Sequence, residues 1–196
     1  MRIRSLAVVL IAGALVLTGC TSDPLAQQYK DGSGKNYIAG SGVTEVAAAH
    51  RDKAVTFSGP TAGGATFSSK DHLGEVLVVN FWYAGCAPCR VEASALQKLS
   101  EQYNGKGALF VGVNTHDAAG TATSFEKSYG VTYPSILDVD SGSVQLAFSG
   151  SIHPNATPTT IVLDKQGRVA ARIEGPITDQ PSTLDTLIGD AIAESN

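Results

Sequence analysis

The stretch FWYAGCAPCR, residues 81–90, contains two of the three cysteines of this 196-residue chain, Cys86 and Cys89. Just before it, residues 75–81 form a continuous apolar run rich in β-branched side chains, which is typical of a strand buried on both faces. Just after it, residues 91–103 have the composition and apolar spacing of a helix. The cysteine pair is therefore predicted to lie where a buried strand gives way to a helix.

A structural role for this pair is possible in two forms, a zinc site or an inert disulfide. Zinc usually takes four ligands, and the chain has no second C-x-x-C motif. The histidines are scattered without the spacing of metal ligands: His50, His72, His116 and His153. An inert disulfide would close a very short loop, which contributes least in the chain-entropy model. No metal or cofactor is expected, and a redox role for the pair is favoured.

The two cysteines are predicted to have different roles. Cys86 lies at the start of the helix, where unpaired N–H groups and the helix dipole favour the thiolate, the nucleophilic form of the thiol. Pro88 falls in the first turn, where its missing N–H costs little, and Arg90 adds a positive charge. Cys89 lies one turn further on and is expected to be more buried. We therefore predict that Cys86 attacks first and that Cys89 resolves the mixed disulfide.

The first twenty residues indicate export from the cytoplasm. Arg2 and Arg4 precede an uncharged apolar run, residues 6–17, that is shorter than the roughly 20 residues needed to span a bilayer. The end of this segment, Leu-Thr-Gly-Cys20, resembles the bacterial lipobox, in which the signal is cut before a cysteine whose thiol carries diacylglycerol. The resemblance implies a lipid on Cys20 and a place on the outer face of the cell membrane. The alternative is a secreted protein with an incidental Cys20.

The rest of the chain is predicted to contain a tether and one α/β domain. Residues 1–19 are the signal peptide, residues 20–52 the tether, and residues 53–196 the domain, although residues 37–49 could instead form an ordered element. Strands are expected at 54–57, 65–67, 75–81, 108–113, 135–137, 159–163 and 169–173, and helices at 91–103, 124–129, 144–148 and 183–193. This alternation indicates an α/β fold, and the final hairpin makes the sheet mixed. The formal net charge of −4 with no basic block argues against nucleic acid as a partner.

Two motifs some seventy residues apart resemble the thioredoxin superfamily, and specifically its TlpA-like or ResA-like membrane-tethered branch. The first is Phe-Trp-x-x-x-Cys86-x-Pro-Cys89-Arg, continued by Val-Glu92 in the branch's C-[KR]-x-E pattern. The second is Thr157-Pro158-Thr-Thr, which is similar to the cis-proline loop. The resemblance covers about residues 53–195. It implies a central mixed sheet flanked by helices, an N-terminal β-hairpin, and the central β-α insertion of this branch.

The resemblance also implies roles for single residues. Pro158 would follow a cis peptide bond and face the disulfide, and the backbone of Thr157 would pair with an extended substrate strand. Glu92 would tune the thiols and move protons. Trp82 would shield the site and contact substrate. The alternatives are a trans Pro158 that starts a strand, a solvated Glu92, and a Trp82 that simply fills the core.

Two departures from thioredoxin modify these expectations. Asn80 stands where thioredoxin has a buried aspartate, and an asparagine cannot accept a proton at neutral pH. Glu92 is the candidate to take over that role. Gly85 replaces the second tryptophan of thioredoxin, which leaves a more open surface beside Cys86.

The function expected is that of an extracytoplasmic thiol–disulfide oxidoreductase. The resemblance implies a reductant of specific protein disulfides, such as those of apocytochrome c, that exchanges electrons with a membrane partner. The alternative is an oxidase that introduces disulfides into exported proteins. A peroxiredoxin-like peroxidase would need a P-x-x-x-T-x-x-C pattern, which the chain lacks before Cys86. A non-catalytic binding lipoprotein is the remaining class, and the intact cysteine pair counts against it.

Overall fold

The structure, a computed structural model, describes residues 42–150, 154, 156–179 and 181–195. The predicted signal peptide, Cys20 and most of the predicted tether lie outside these residues. Among the described residues, none of the helices combines the length and the apolar character needed to cross a bilayer.

Strands and helices alternate along the described chain. The strands are β1 (Val43–Glu45), β2 (Ser58–Pro60), β3 (Thr66–Ser68), β4 (Val76–Trp82), β5 (Ala108–Asn114), β6 (Ser135–Leu137), β7 (Thr159–Leu163) and β8 (Val169–Glu174). The helices are α1 (Ala87–Tyr103), α2 (Ala119–Tyr129), α3 (Ser143–Ala147) and α4 (Pro181–Ala193), with 3-10 turns at Ala48–His50, Ser69–His72 and Ile177–Asp179.

Six of these strands form one mixed sheet in the order β1-β8-β7-β4-β5-β6, and β2 and β3 form a separate hairpin. Strand β4 runs parallel to β5 and antiparallel to β7, so it lies in the middle of the sheet. All seven residues of β4 are buried, as expected from its apolar run. The predicted mixed α/β sheet with an N-terminal hairpin and a central insertion is confirmed.

The core has two layers, one on each face of the sheet. Val76 and Val78 of β4 pack with Leu96 of α1 and with α4, whereas Leu77, Val79 and Phe81 pack with the hairpin and α3. Successive strand residues point to opposite faces, so Asn80 and Trp82 share the face of Val76 and Val78. That face is the one covered by α1, which follows the cysteines.

The folded domain begins earlier than the sequence indicated. Strand β1 lies within the predicted tether, upstream of Lys53, and extends the sheet by pairing Val43 with Ile173 of β8. The alternative of an ordered element in residues 37–49 is therefore correct for this part. Such an edge strand is held by backbone hydrogen bonds to its neighbour, so three residues suffice and leave no apolar periodicity to detect.

The other differences concern where elements begin. The hairpin pairs Ser58–Pro60 with Thr66–Ser68, not residues 54–57 with 65–67, because Phe57 and Phe67 are both drawn into the core. Helix α1 begins at Ala87, four residues before the predicted 91, because Cys86 serves as its N-cap. Helix α2 begins at Ala119 instead of 124, and it ends at Gly130 as predicted, with a φ of 69°.

Candidate active site

The centre of the site is a disulfide between Cys86 and Cys89, whose Cα atoms are 5.3 Å apart. Cys86 is the N-cap residue of α1, and the backbone N–H of Cys89 donates to the Cys86 Sγ at 3.2 Å. The sulfur therefore lies against the unpaired N–H groups and the positive end of the helix dipole. This is the position in which negative charge on Cys86 is stabilised.

Burial does not distinguish the two cysteines, contrary to the expectation that Cys89 would be the more buried. In this disulfide state Cys86 is 3% exposed and Cys89 is 2% exposed. Cys86 is covered from the side of β7, where the carbonyl oxygen of Thr157 lies 3.8 Å from its sulfur. Any difference in reactivity must therefore come from the groups around each sulfur.

The loop that covers Cys86 contains a cis peptide bond between Thr157 and Pro158, as predicted, so Pro158 is not an ordinary trans proline. The loop is held on both sides of this bond. The Thr159 hydroxyl donates to the Ala156 carbonyl at 2.6 Å, and the N–H of Gly175 donates to the Pro158 carbonyl at 2.9 Å. The Thr157 carbonyl is thereby fixed toward the disulfide. Substrate binding by Thr157 and Pro158 stays a prediction.

Glu92 lies on α1 three residues after Cys89 and is completely buried, which excludes a solvated carboxylate. Its Oε1 accepts a hydrogen bond from the Asn80 side-chain amide at 2.9 Å. Its Oε2 accepts a hydrogen bond from the backbone N–H of Ile177, also at 2.9 Å. Each carboxylate oxygen thus has a neutral donor, and neither is paired with a cation by these bonds.

Burial raises the pKa of Glu92 to about 7, although the hydrogen bonds from Ile177 and Asn80 act in the opposite direction. Near neutral pH both forms of this carboxyl group are populated, so it is able to take up or release a proton. Asn80 holds Glu92 in place, and its amide also donates to the Thr160 hydroxyl at 3.1 Å. The asparagine therefore orients the titrating group without itself titrating.

Trp82 lies beneath the cysteines and is 4% exposed. Its ring packs on Phe125 of α2 with a centroid distance of 4.3 Å, in a cluster that includes both cysteines and Ala93. In this disulfide state Trp82 fills the core under the site, and little of its surface is exposed for contact with a substrate. The same packing therefore fills the core and shields the disulfide from below.

A cavity of about 10 Å³ lies within this cluster, with Asn80, Trp82, Cys89 and Tyr133 among its lining residues. A volume of this size is about the minimum needed for one water molecule. It touches both Cys89 and Asn80, the residue that holds Glu92.

Burial and the negative charges of Glu92 and Glu126 raise the pKa of Tyr133, so its hydroxyl stays protonated.

Three residues of the site were not predicted from the sequence: Tyr133, Ile177 and Asp117. Asp117 accepts a hydrogen bond from the backbone N–H of Ala84, in the loop before Cys86, at 2.6 Å. A signal for it exists, because Asp117 follows β5 and the carboxyl ends of neighbouring parallel strands meet at one edge of a sheet. Ile177 contributes only a backbone N–H, which no side-chain pattern marks.

Comparison with known families and curated proteins agrees with this geometry. A family model described as Redoxin matches residues 49–188, which is more than half of the chain. The thiol-disulfide oxidoreductase ResA of Bacillus subtilis is 28% identical over 116 residues, covering 59% of this chain and 62% of ResA, so the chain spans less than two thirds of that relative. The thiol:disulfide interchange protein HelX of Rhodobacter capsulatus is 34% identical over 132 residues, covering 66% of this chain and 70% of HelX.

Solved structures give the same result. A thiol:disulfide interchange protein of the thioredoxin family from Chlorobium tepidum has a TM-score of 0.66 at 29% identity, covering 75% of this chain and all of that chain. A DsbF homologue from Corynebacterium diphtheriae has a TM-score of 0.66 at 28% identity, covering 79% of this chain and 96% of that chain. The fold around the cysteine pair is therefore thioredoxin-like.

Proposed function

We propose that this chain, which belongs to the Redoxin family, is a thiol–disulfide oxidoreductase that acts outside the cytoplasm as a reductant of specific protein disulfides. One observation carries the exchange chemistry in this proposal. A cysteine pair caps α1 against a cis-proline loop, above a buried carboxyl group whose pKa is raised to about 7. Such a site combines a nucleophile, a resolving thiol and a proton acceptor.

The reaction proceeds through a mixed disulfide. The Cys86 thiolate attacks one sulfur of the substrate disulfide, the substrate S–S bond breaks, and one substrate thiolate leaves. Cys89 then attacks the Cys86 sulfur and displaces the second substrate thiolate. Two electrons pass to the substrate, and the enzyme ends with the Cys86–Cys89 disulfide. A membrane electron donor would return the pair to the dithiol.

Glu92 is the group proposed to take the proton from the Cys89 thiol. It lies one helical turn beyond Cys89, and Asn80 connects it to the cavity that Cys89 also lines. Its raised pKa suits proton uptake near neutrality. The backbone around Thr157 and Pro158 is proposed to receive the substrate strand, since its carbonyl already faces the Cys86 sulfur.

The buried carboxyl group bears on the direction of electron flow through the stability of the Cys89 thiolate. Strong oxidants of disulfide exchange have a stabilised reduced form. Ionised Glu92 instead disfavours a thiolate on Cys89, so Cys89 lacks the stabilisation that marks a strong oxidant. The relatives ResA and HelX are named as an oxidoreductase and an interchange protein, without a direction.

The place of action is proposed from the N-terminal sequence. Residues 1–19 are proposed as the signal peptide, Cys20 as the residue that carries the lipid, and the residues after it as a tether to the domain, whose first described strand is β1 (Val43–Glu45). Reduction of apocytochrome c cysteines before haem attachment is the proposed physiological use. The proposed partners are proteins whose disulfides this chain reduces and a membrane electron donor that reduces this chain.

The redox state of the pair in living cells tests the direction. Alkylation of acid-quenched cells with a mass-tagged maleimide should find Cys86 and Cys89 mostly as thiols. A pair that is mostly disulfide would support the oxidase and contradict the reductant. A Cys89→Ser variant should accumulate mixed disulfides between Cys86 and its partners, and the double variant C86S/C89S should not. Absence of trapped partners would count against disulfide exchange altogether.

Membrane attachment is tested separately by metabolic labelling with palmitate. Label should appear in the wild-type chain and disappear in Cys20→Ala, which should also be released from the membrane fraction. A label that persists in Cys20→Ala would refute the proposed anchor without affecting the chemistry at Cys86.

A further inference from the structure

The loop between β4 and Cys86 is held by two charged side chains from different elements. Asp117, in the turn after β5, accepts from the N–H of Ala84 at 2.6 Å. Arg90, on α1, donates to the carbonyl oxygens of Ala84 and Gly85 at 2.9 and 3.0 Å. Three backbone polar groups immediately before the nucleophile therefore have side-chain partners, in a segment with no sheet or helix bonds of its own.

Asp117 is itself fixed from below by Asn114, the last residue of β5, which is fully buried. The Asn114 amide donates to the same Asp117 oxygen, Oδ2, at 2.8 Å. In return, the Asn114 Oδ1 accepts from the backbone N–H of Asp117 at 2.7 Å and from that of His116 at 3.2 Å. One carboxylate oxygen thus joins the buried end of β5 to the loop that presents Cys86.

The loop has little freedom on its other sides. The backbone N–H of Cys86 donates to the Tyr83 carbonyl at 3.1 Å, and the Tyr83 ring packs on His116 at a centroid distance of 4.5 Å. A Cβ on Gly85 would lie 3.2 Å from the Tyr83 ring, so the turn is already tight. A substitution at Asp117 would therefore directly change the position of the Cys86 backbone.

We propose that Asp117 is a positioning residue for disulfide exchange, which fixes the Ala84–Gly85 loop so that the Cys86 sulfur meets its target in line. The inference rests on the exchange chemistry of the pair and holds for either direction of electron flow. Attack on a disulfide requires alignment of three sulfur atoms, and loss of such alignment lowers the rate even when the thiolate is intact. The role belongs to the oxygen acceptor of Asp117 and not to its charge.

Three substitutions separate position from charge. Asp117→Asn keeps an oxygen that can accept from both Ala84 and Asn114, and it removes the charge. Asp117→Glu keeps the charge and moves the carboxylate outward by one methylene. Asp117→Ala removes both. Positioning predicts near wild-type exchange for D117N and a slowing of about tenfold for D117E and D117A. An electrostatic role predicts the opposite order, with D117E like the wild type and D117N like D117A.

The measurement is the second-order rate constant of the reduced full chain with a small aromatic disulfide at pH 7, in a Cys20→Ser background so that only Cys86 and Cys89 react. Hydrogen exchange at the Ala84 amide should accelerate in D117A and D117E and stay slow in D117N. Asp140→Asn, an exposed site, is the matched control for loss of one negative charge. Equal rates for D117A and wild type, or a D117N as slow as D117A, would overturn the proposal. Because D117N and D117E change the side-chain volume only a little, the order of their rate constants separates position from charge even if D117A folds poorly.

Discussion

Cys86 and Cys89 differ in what surrounds their sulfur atoms and not in how deeply they are buried. The Cys86 sulfur accepts the N–H of Cys89 at the helix N-terminus, whereas Cys89 lies one turn from the buried carboxyl group of Glu92. The first environment favours a thiolate and the second opposes it. The order of reactivity stays a prediction: the helix N-terminus remains its reason at Cys86, and the nearby Glu92 carboxyl group replaces the expected deeper burial of Cys89.

We therefore expect iodoacetamide to modify Cys86 of the reduced chain much faster than Cys89 at pH 7. Peptide mapping after short reaction times measures the two rates separately. The Glu92→Gln variant is the informative comparison, because removing the opposing charge should speed modification of Cys89 more than of Cys86. Equal rates for the two cysteines in the wild type would contradict the assignment of roles.

Glu92 should also make the stability of the oxidised chain depend on pH. Burial raises the folded pKa of this carboxyl from 4.5 to about 7, so the folded state holds a proton that the unfolded state has lost between these values. Its contribution therefore destabilises the fold progressively as pH rises from about 4.5 to 7. A shift of this size corresponds to roughly 3 kcal/mol.

The prediction is that Glu92→Gln removes this part of the pH dependence. Relative to wild type, the variant should gain on the order of 2–3 kcal/mol in unfolding free energy on going from pH 4 to pH 8. Urea unfolding of the oxidised proteins at both pH values measures it. If the unfolding free energies of wild type and Glu92→Gln differ by the same amount at both pH values, Glu92 titrates normally despite its burial.

At the scale of elements, strand β5 approaches β6 and Trp82 so closely that Gly112 has no room for a side chain. A Cβ on Gly112 would lie 2.5 Å from the Ser135 Oγ and 2.7 Å from the Trp82 Nε1. Trp82 is held against Phe125, so the strain would pass to the cluster beneath the cysteines. The absence of a side chain at Gly112 therefore leaves the space that Ser135 of β6 and the Trp82 ring occupy beside β5.

Gly112→Ala should destabilise the chain by roughly 1–3 kcal/mol, the usual cost of overpacking a core. Thermal or urea unfolding measures the loss. Gly120→Ala is the matched control, because a Cβ there meets open space on α2, and alanine in a helix is favoured by about 0.5–1 kcal/mol over glycine. If Gly112→Ala and Gly120→Ala change the unfolding free energy by the same amount, the close approach at Gly112 does not contribute to stability.

At the scale of the whole domain, Arg51 joins three segments that are far apart in sequence. Its guanidinium contacts Asp164 in the β7–β8 turn at 2.9 Å and both carboxylate oxygens of Glu194 after α4 at 2.6 Å. Its Nε donates to the Val46 carbonyl at 2.9 Å. The Arg51 and Asp164 side chains are only 4% and 1% exposed, so this is a buried ion pair.

Arg51→Ala should therefore cost on the order of 3 kcal/mol, because it leaves a buried carboxylate with one cation fewer. Arg168→Ala is the internal comparison. Arg168 contacts the same Asp164 oxygen at 2.8 Å, but its side chain is 30% exposed, and a loss of about 1 kcal/mol or less is expected. Urea unfolding at pH 7 gives both values. Equal losses would show that burial of the Arg51 pair adds nothing.

The local sequence was sufficient to predict the central strand, the helix after it, the Cys86–Cys89 pair and the turn at Gly130. Each of these depends on residues adjacent in the chain, through apolar periodicity, capping or a positive φ. The cis peptide before Pro158 was implied by the resemblance of four neighbouring residues to the cis-proline loop of the thioredoxin superfamily, and it is confirmed. Strand alternation likewise implied a mixed α/β sheet.

Only the tertiary structure decided what depends on contacts between distant segments. Strand β1 exists because β8 offers an edge, and Glu92 is buried because Asn80 and the backbone of Ile177 close over it. The pKa of about 7 follows from that enclosure, and the C-[KR]-x-E spacing alone does not contain it. Asp117 likewise meets Ala84 only because parallel pairing of β4 with β5 brings their carboxyl ends together. Interactions between neighbouring residues determine the helices and strands, whereas contacts between distant segments determine the pKa of Glu92 and the position of Asp117.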